Sequence, residues 1–245
     1  MVAVLWELGR IVFLGTMAGA LGTGVGGLVL SFLKRPKDSF LTFLLAFSAG
    51  IMLAVVFQDL ILEAISLGGL GVTLLGIVLG VLALSLMTSV IDSSHFSAKG
   101  LAKTGLLLGC GIALHNLPEG LAIGAGYLAS QDLGLSLALA LCIHNIPEGM
   151  AMAAPLLAGG VNKTQVALLT ILAGIPMGIG ALLGGLLGSL SGRSLAGALG
   201  FASGAMLFLV FHKLLPEAEH GGVPVASTYG AIMGILVGLT FLVAL

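Results

Sequence analysis

Eight long apolar runs, separated by short charged or Gly/Ser/Pro-rich breaks, dominate the sequence. A helix that crosses a bilayer needs about 20 apolar residues, and every run reaches that length. Only 8% of the residues are charged, and the mean hydropathy of +1.22 fits no water-soluble domain. The sequence predicts an all-α, polytopic membrane protein, with residues 1–245 forming a single domain. Its eight transmembrane helices are expected near 4–32, 40–65, 69–91, 102–129, 133–160, 164–190, 195–217 and 223–245.

The basic residues are distributed unevenly over the two sides of this predicted bundle. Arg10 and Arg193 lie toward one side, and the other seven Lys and Arg residues lie toward the opposite side. Loops rich in basic residues stay in the cytoplasm, so the basic side is expected to face the cytoplasm. The protein is expected in the plasma membrane, and an even number of helices then places both termini outside the cytoplasm. The formal net charge of −1 says nothing further about partners, and no nucleic-acid partner is expected. The seven residues on the basic side are Lys34, Arg35, Lys37, Lys99, Lys103, Lys163 and Lys213.

One polar motif occurs twice inside apolar runs. His-Asn-Leu-Pro-Glu-Gly at residues 115–120 returns 29 residues later as His-Asn-Ile-Pro-Glu-Gly at 144–149. A His at position i and a Glu at i+4 share one helix face, and the Asn beside each His adds an amide oxygen. An ionisable group within a membrane helix costs on the order of 2.5–3.5 kcal/mol on insertion scales. A bound divalent cation would compensate for these buried groups.

The two copies are expected to face each other near the middle of the membrane. They lie in consecutive, antiparallel helices, and each lies roughly 12–14 residues into its helix. A single intramembrane His more often makes a helix-to-helix hydrogen bond, but the duplication favours a metal site. The predicted ligands are His115, Asn116, Glu119, His144, Asn145 and Glu148.

A second repeat links the predicted helices two and seven. Residues 47–64 align without gaps to residues 201–218, with identities that include Gly50/Gly204 and Glu63/Glu217. Under the predicted topology the copies run in opposite directions, and inverted repeats around a midplane site are typical of secondary transporters.

Further polar and thioether side chains mark a candidate path on either side of the paired motifs. Asp59 and Glu63 are expected to collect cations at the entrance, and ordinary interfacial polar residues are the alternative. Met52 and Met177 are either thioether ligands or core filler, with filler favoured. The candidate exit residues are Asp92, His212 and Glu217.

The two motifs resemble the signature of the bacterial-type ZIP (Zrt/Irt-like protein) transporters. Those transporters have eight helices and carry the signature in the fourth and fifth. The resemblance implies transport of zinc into the cytoplasm through a binuclear centre. Glu119 and Glu148 would bridge the metals, and His115, Asn116, His144 and Asn145 would complete the centre.

The chain departs from that family's pattern at two positions. Met177 stands where many relatives carry a metal-binding Glu, so the second metal position loses that carboxylate. His212-Lys213 replaces a His-Glu pair near the end of helix seven, and a Lys there repels a divalent cation.

Several functional alternatives remain open at the level of sequence. Mixed imidazole, carboxylate and amide ligands suit Zn²⁺ and also admit Cd²⁺, Mn²⁺, Fe²⁺, Co²⁺ or Ni²⁺. An intramembrane metal-dependent hydrolase is the rival function, but the chain lacks a His-Glu-x-x-His motif. Glycine spacings such as Gly76 to Gly80 and Gly180 to Gly184 favour internal packing, and a homodimer is a further possibility.

Overall fold

The computed structural model describes residues 2–32, 38–92, 100–189, 191–220 and 223–244, and these are helical apart from short turns. Six stretches within them are long and apolar enough to cross a membrane. The prediction of an all-helical, multi-pass membrane protein is confirmed. The helices are α1 (Val2–Phe32), α2 (Asp38–Val55), α3 (Ile61–Asp92), α4 (Gly100–Ala129), α5 (Gln131–Ala158), α6 (Lys163–Gly174), α7 (Pro176–Gly188), α8 (Gly192–Leu209), α9 (Leu215–His220) and α10 (Pro224–Ala244).

The longest apolar stretch contains a break in the backbone. Thr42–Ser89 spans 48 residues, and a straight helix of that length would measure roughly 72 Å. The hydrocarbon core of a bilayer is only about 30 Å thick. Gly69 has φ 76° and ψ 166°, a conformation that glycine adopts without steric cost. The chain therefore changes direction there, at the end of the break predicted between residues 65 and 69.

The helices pack in four main pairs, α1 with α5, α4 with α7, α2 with α10, and α3 with α8. Glycines let the paired backbones approach closely. A Cβ at Gly80 would overlap the carbonyl oxygen of Phe201, and a Cβ at Gly184 would overlap that of Leu121. Gly76 and Gly180 also face neighbouring backbone within the chain. Internal packing of these glycine spacings is therefore confirmed.

Two five-residue π-helical segments interrupt the α-helices at equivalent positions of the second repeat. Segment π1 (Val56–Leu60) follows α2, and segment π2 (Val210–Leu214) follows α8. In each, an N–H donates to a carbonyl five residues earlier, Ile61 to Val56 and Leu215 to Val210. The two segments also share one pattern of burial, position by position. Such π-bulges occur frequently at functional sites.

Replacing Gly80 by Ala should destabilise the α3–α8 pair. The added methyl group overlaps backbone, which cannot move as easily as a side chain, and overpacking costs about 1–3 kcal/mol. Thermal unfolding of the purified protein in detergent should show a lower midpoint temperature. Gly71→Ala is the matched control, because a Cβ at Gly71 meets open space. Equal midpoints for the two variants would contradict this account of the packing.

Candidate metal centre

The two motifs lie on a tight helical hairpin. Only Ser130 separates α4 from α5, and its side chain caps α5 by accepting a hydrogen bond from the Leu133 N–H at 3.0 Å. Gly109 packs on Met152, and Gly134 packs on Tyr127. These contacts fix an antiparallel register in which the two motifs lie side by side. The predicted proximity of the motifs agrees with this packing.

The His144 ring connects the two helices at the centre of the hairpin. Its Nε2 lies 3.1 Å from Glu119 Oε1 on α4 and 3.3 Å from Glu148 Oε1 on α5. All three side chains are buried, with exposures of 0%, 0% and 1% for His144, Glu119 and Glu148. Two carboxylates and one imidazole therefore share a site that excludes bulk water.

The opposite edge of the ring is held by Ser48 on α2. His144 Nδ1 lies 3.0 Å from the Ser48 carbonyl oxygen and 2.6 Å from its hydroxyl, and that hydroxyl donates to the His144 carbonyl at 3.1 Å. Because a carbonyl oxygen only accepts hydrogen bonds, the pattern assigns a proton to Nδ1. Nε2 is then the ring nitrogen that faces the two carboxylates, and it is the nitrogen that a metal ion would bind.

The spacing of these atoms suits a small divalent cation. Zinc lies about 2.0–2.2 Å from nitrogen and carboxylate ligands in tetrahedral geometry, so neighbouring ligand atoms are roughly 3.3–3.4 Å apart. The two separations at His144 are 3.1 and 3.3 Å. Among the described residues, no group of three or more His, Cys, Asp or Glu side chains is arranged so that it could hold a metal ion as it stands.

Both motif asparagines are buried beside this cluster. Asn116 donates through Nδ2 to the Ala173 carbonyl at 2.8 Å, close to where α6 gives way to α7. Its Oδ1 and both amide atoms of Asn145 make no hydrogen bond within the described part of the chain. Buried amide oxygens normally have a partner, so both are suitable further ligands.

The glycine that ends each motif allows the motif to lie in close contact with the backbone of another helix. A Cβ at Gly120 would overlap the Met177 carbonyl on α7, and a Cβ at Gly149 would overlap the Thr23 carbonyl on α1. Met177 and Met52 are wholly buried in the main apolar core. Met177 therefore contributes a backbone surface to the motif, together with a buried side chain.

The remaining predicted residues lie apart from the His144 cluster or outside the described part. Asp59 and Glu63 are half-buried, in π1 and at the start of α3. Asp59 Oδ2 makes no hydrogen bond to any described residue. His212 is exposed and stacks on Phe208 with ring centroids 4.7 Å apart. The side chains that lie outside the described residues are those of His115, Asp92 and Glu217.

Ser48 is the one residue of this cluster that the sequence reasoning missed. It lies in an apolar run without a motif of its own, and only the packing of α2 against α5 brings it to His144. The available signal was that a metal-binding His commonly has a hydrogen-bonded partner on its other ring nitrogen.

Taken together, the fold and this cluster define a multi-pass membrane protein with His and Glu side chains buried in contact between its helices. The family described as ZIP Zinc transporter matches residues 89–245, and the chain belongs to that family. Its members are transporters and not enzymes, which removes the hydrolase alternative.

Relatives in bacteria and plants match most of the chain. It is 34% identical to the zinc transporter ZupT of Stenotrophomonas maltophilia (strain R551-3) over 90% of each protein. It is 33% identical to the zinc transporter ZTP29 of Arabidopsis thaliana over 83% of each. The zinc transporter GufA of Myxococcus xanthus is 39% identical, over 56% of this chain and 54% of GufA.

Ser48→Ala should weaken zinc binding by roughly 10–100-fold, the usual effect of removing a partner that orients a metal ligand. The hydroxyl contacts both the ring and the backbone of His144, so its loss leaves the Ser48 carbonyl as the remaining described partner of Nδ1 and loosens the ring. Equilibrium dialysis of the purified protein measures the affinity. Ser203→Ala is the control, since Ser203 is equally buried and, among the described residues, its hydroxyl bonds only to Leu199 in its own helix. Unchanged affinity in Ser48→Ala would show that Ser48 does not position the ring.

Proposed function

We propose that this protein carries Zn²⁺ across the plasma membrane toward the cytoplasm, through a site between α4 and α5. The observation that carries the proposal is the wholly buried contact of His144 with Glu119 and Glu148. Two carboxylates within an apolar helix bundle require a compensating positive charge. A divalent cation supplies it, and the relatives that match most of the chain are named zinc transporters.

The proposed centre is binuclear and uses both motifs. Glu119 on α4 and Glu148 on α5 both lie at the Nε2 edge of the His144 ring, and each would bridge the two metal ions. The buried amide oxygens of the two motifs supply neutral ligands. Met177, in place of a carboxylate, leaves the second position with less negative charge. The proposed ligand set is His115, Asn116, Glu119, His144, Asn145 and Glu148.

The proposed topology has eight crossings and an inverted repeat. The stretch Thr42–Ser89 counts as two crossings because it breaks at Gly69, and Pro224–Ala244 adds a further one. Crossings one to five are α1 to α5, crossing six is α6 with α7, crossing seven is α8 and crossing eight is α10. The repeat exchanges crossing one with six, two with seven, three with eight and four with five. This exchange converts the α1–α5 pair into the α7–α4 pair. The same exchange converts α2–α10 into α8–α3. The matching π-segments support this symmetry.

The proposed path enters on the side of Asp59 and leaves on the basic side. The positive-inside rule places the basic side in the cytoplasm and both termini outside it. Asp59 and Glu63 then collect the ion at low external concentration, and Asp92, His212 and Glu217 accept it on the inside. The ligand chemistry also admits Cd²⁺, Mn²⁺, Fe²⁺, Co²⁺ and Ni²⁺. Residues 1–245 act as one transport domain, either alone or as a homodimer.

Glu119→Ala and Glu148→Ala should each abolish saturable zinc uptake, because each removes a carboxylate from the centre. Uptake into proteoliposomes is measured with a zinc-sensitive dye at matched protein incorporation. Glu219→Ala is the matched control, since Glu219 is an exposed carboxylate in α9. Wild-type uptake that survives in both core variants would place the transport path elsewhere.

Asp59→Asn should raise the KM for zinc uptake several-fold and leave the maximal rate nearly unchanged. The neutral amide keeps the size of the side chain and removes the charge that raises the local cation concentration. The concentration dependence of uptake separates the two parameters. Gln58→Ala is the control, because Gln58 is its exposed neighbour in π1. A normal KM in Asp59→Asn would remove the entrance role.

A further inference from the structure

A narrow cavity lies beside the proposed centre, between α2, α4, α5 and π2. Its free volume of about 20 Å³ is enough for one water molecule or one small ion. Leu45, Ile112 and Leu209 form apolar parts of its wall, and two of its lining residues are charged, Glu148 and Lys213. The cavity therefore connects a carboxylate of the centre with a lysine on another element.

The lysine is directed toward α4 and not toward the surrounding lipid. A Cβ at Gly111 would overlap the Lys213 Nζ, so the ammonium group occupies space that only a glycine leaves open. His212, the preceding residue, is exposed, whereas Lys213 is half-buried. The register of π2 thus turns the imidazole outward and the ammonium inward.

Lys213 holds the position that Asp59 holds in the other repeat. Both are fourth in their π-helical segment, and both are half-buried after an exposed neighbour. Leu45 lines the cavity of Lys213, and it precedes Asp59 by 14 residues (59 − 45) within one helical stretch. At 1.5 Å per residue, the two levels are about 20 Å apart along that helix. Equivalent positions of the repeat therefore place an acid and a base at different depths of the bundle.

We propose that Lys213 is a fixed positive charge in the exit passage, where it opposes re-entry of divalent cations from the basic side. The inference rests on the proposed transport function. A divalent cation in the cavity is repelled by the ammonium, and this repulsion is strong where apolar walls exclude water. An ion at the centre is held by its ligands, but an ion that has moved into the cavity leaves quickly. An ion approaching from that side meets the same charge first.

The charge makes the two mouths of the path unequal. Asp59 attracts cations on one side and Lys213 repels them on the other, although the backbone around them has the same form. The expected result is weak inhibition of transport by zinc accumulated on the basic side. Lys213 acts as a determinant of sidedness and not as a metal ligand.

The test measures zinc uptake by the full-length protein in vesicles of uniform orientation, with increasing zinc on the side of Lys213. In Lys213→Met, the zinc concentration on that side that halves uptake should fall roughly tenfold, the effect of removing one nearby charge from a partly hydrated path. Lys213→Gln, a second neutral variant, should lower that zinc concentration to the same extent as Lys213→Met. Lys213→Arg keeps the charge and should match the wild type, which separates charge from packing.

Two controls distinguish the failure of this inference from the failure of the transport proposal. Saturable wild-type uptake that Glu119→Ala removes establishes the transport function. If inhibition in Lys213→Met and Lys213→Gln then equals that of the wild type, the role of Lys213 is overturned and transport stands. If Lys213→Arg is inhibited as strongly as Lys213→Met, the role of the Lys213 charge is also overturned. Phe211→Leu, at an exposed residue of π2, should leave inhibition unchanged.

Discussion

The structure depends on the burial of two carboxylates, Glu119 and Glu148, against one imidazole in the middle of an apolar bundle. Burying ionisable groups in a bilayer costs free energy, and the apolar helices alone supply no interaction that offsets this cost. In the proposed function a transported cation offsets that cost, because it gains ligands where the protein gains charge compensation. The ring of His144 keeps the carboxylates at spacings close to those of a tetrahedral metal site. The rest of the fold holds this contact in place.

That contact depends on the close packing of five helices. The hairpin of α4 and α5 sets the register, α2 supplies Ser48, and α1 and α7 press on the motif glycines. Gly120 and Gly149 therefore serve packing, whereas the His, Asn and Glu of the same motif are the proposed metal ligands. A motif of six residues can combine both tasks because a helix presents one face to the proposed site and another to a neighbouring helix.

Much of this arrangement could be predicted from the sequence. Hydropathy located the apolar helices, and the break before Gly69 matched the backbone turn there. The repeated motif predicted that His144 and Glu148, at positions i and i+4, share one helix face, and that Glu119 on the preceding helix lies near them. Ser48 could not be found this way, since its role arises from contact between distant helices. The inward direction of Lys213 was equally hidden, because it depends on the register of a π-helical segment that no sequence pattern indicated.

The most direct measurement is anomalous diffraction at the zinc edge from crystals of the zinc-loaded protein. The account predicts a peak between His144 Nε2 and the carboxylates of Glu119 and Glu148, with the Ser48 contact to the opposite ring nitrogen retained. A zinc ion bound elsewhere, with the direct contacts of His144 to both carboxylates intact, would contradict the central claim.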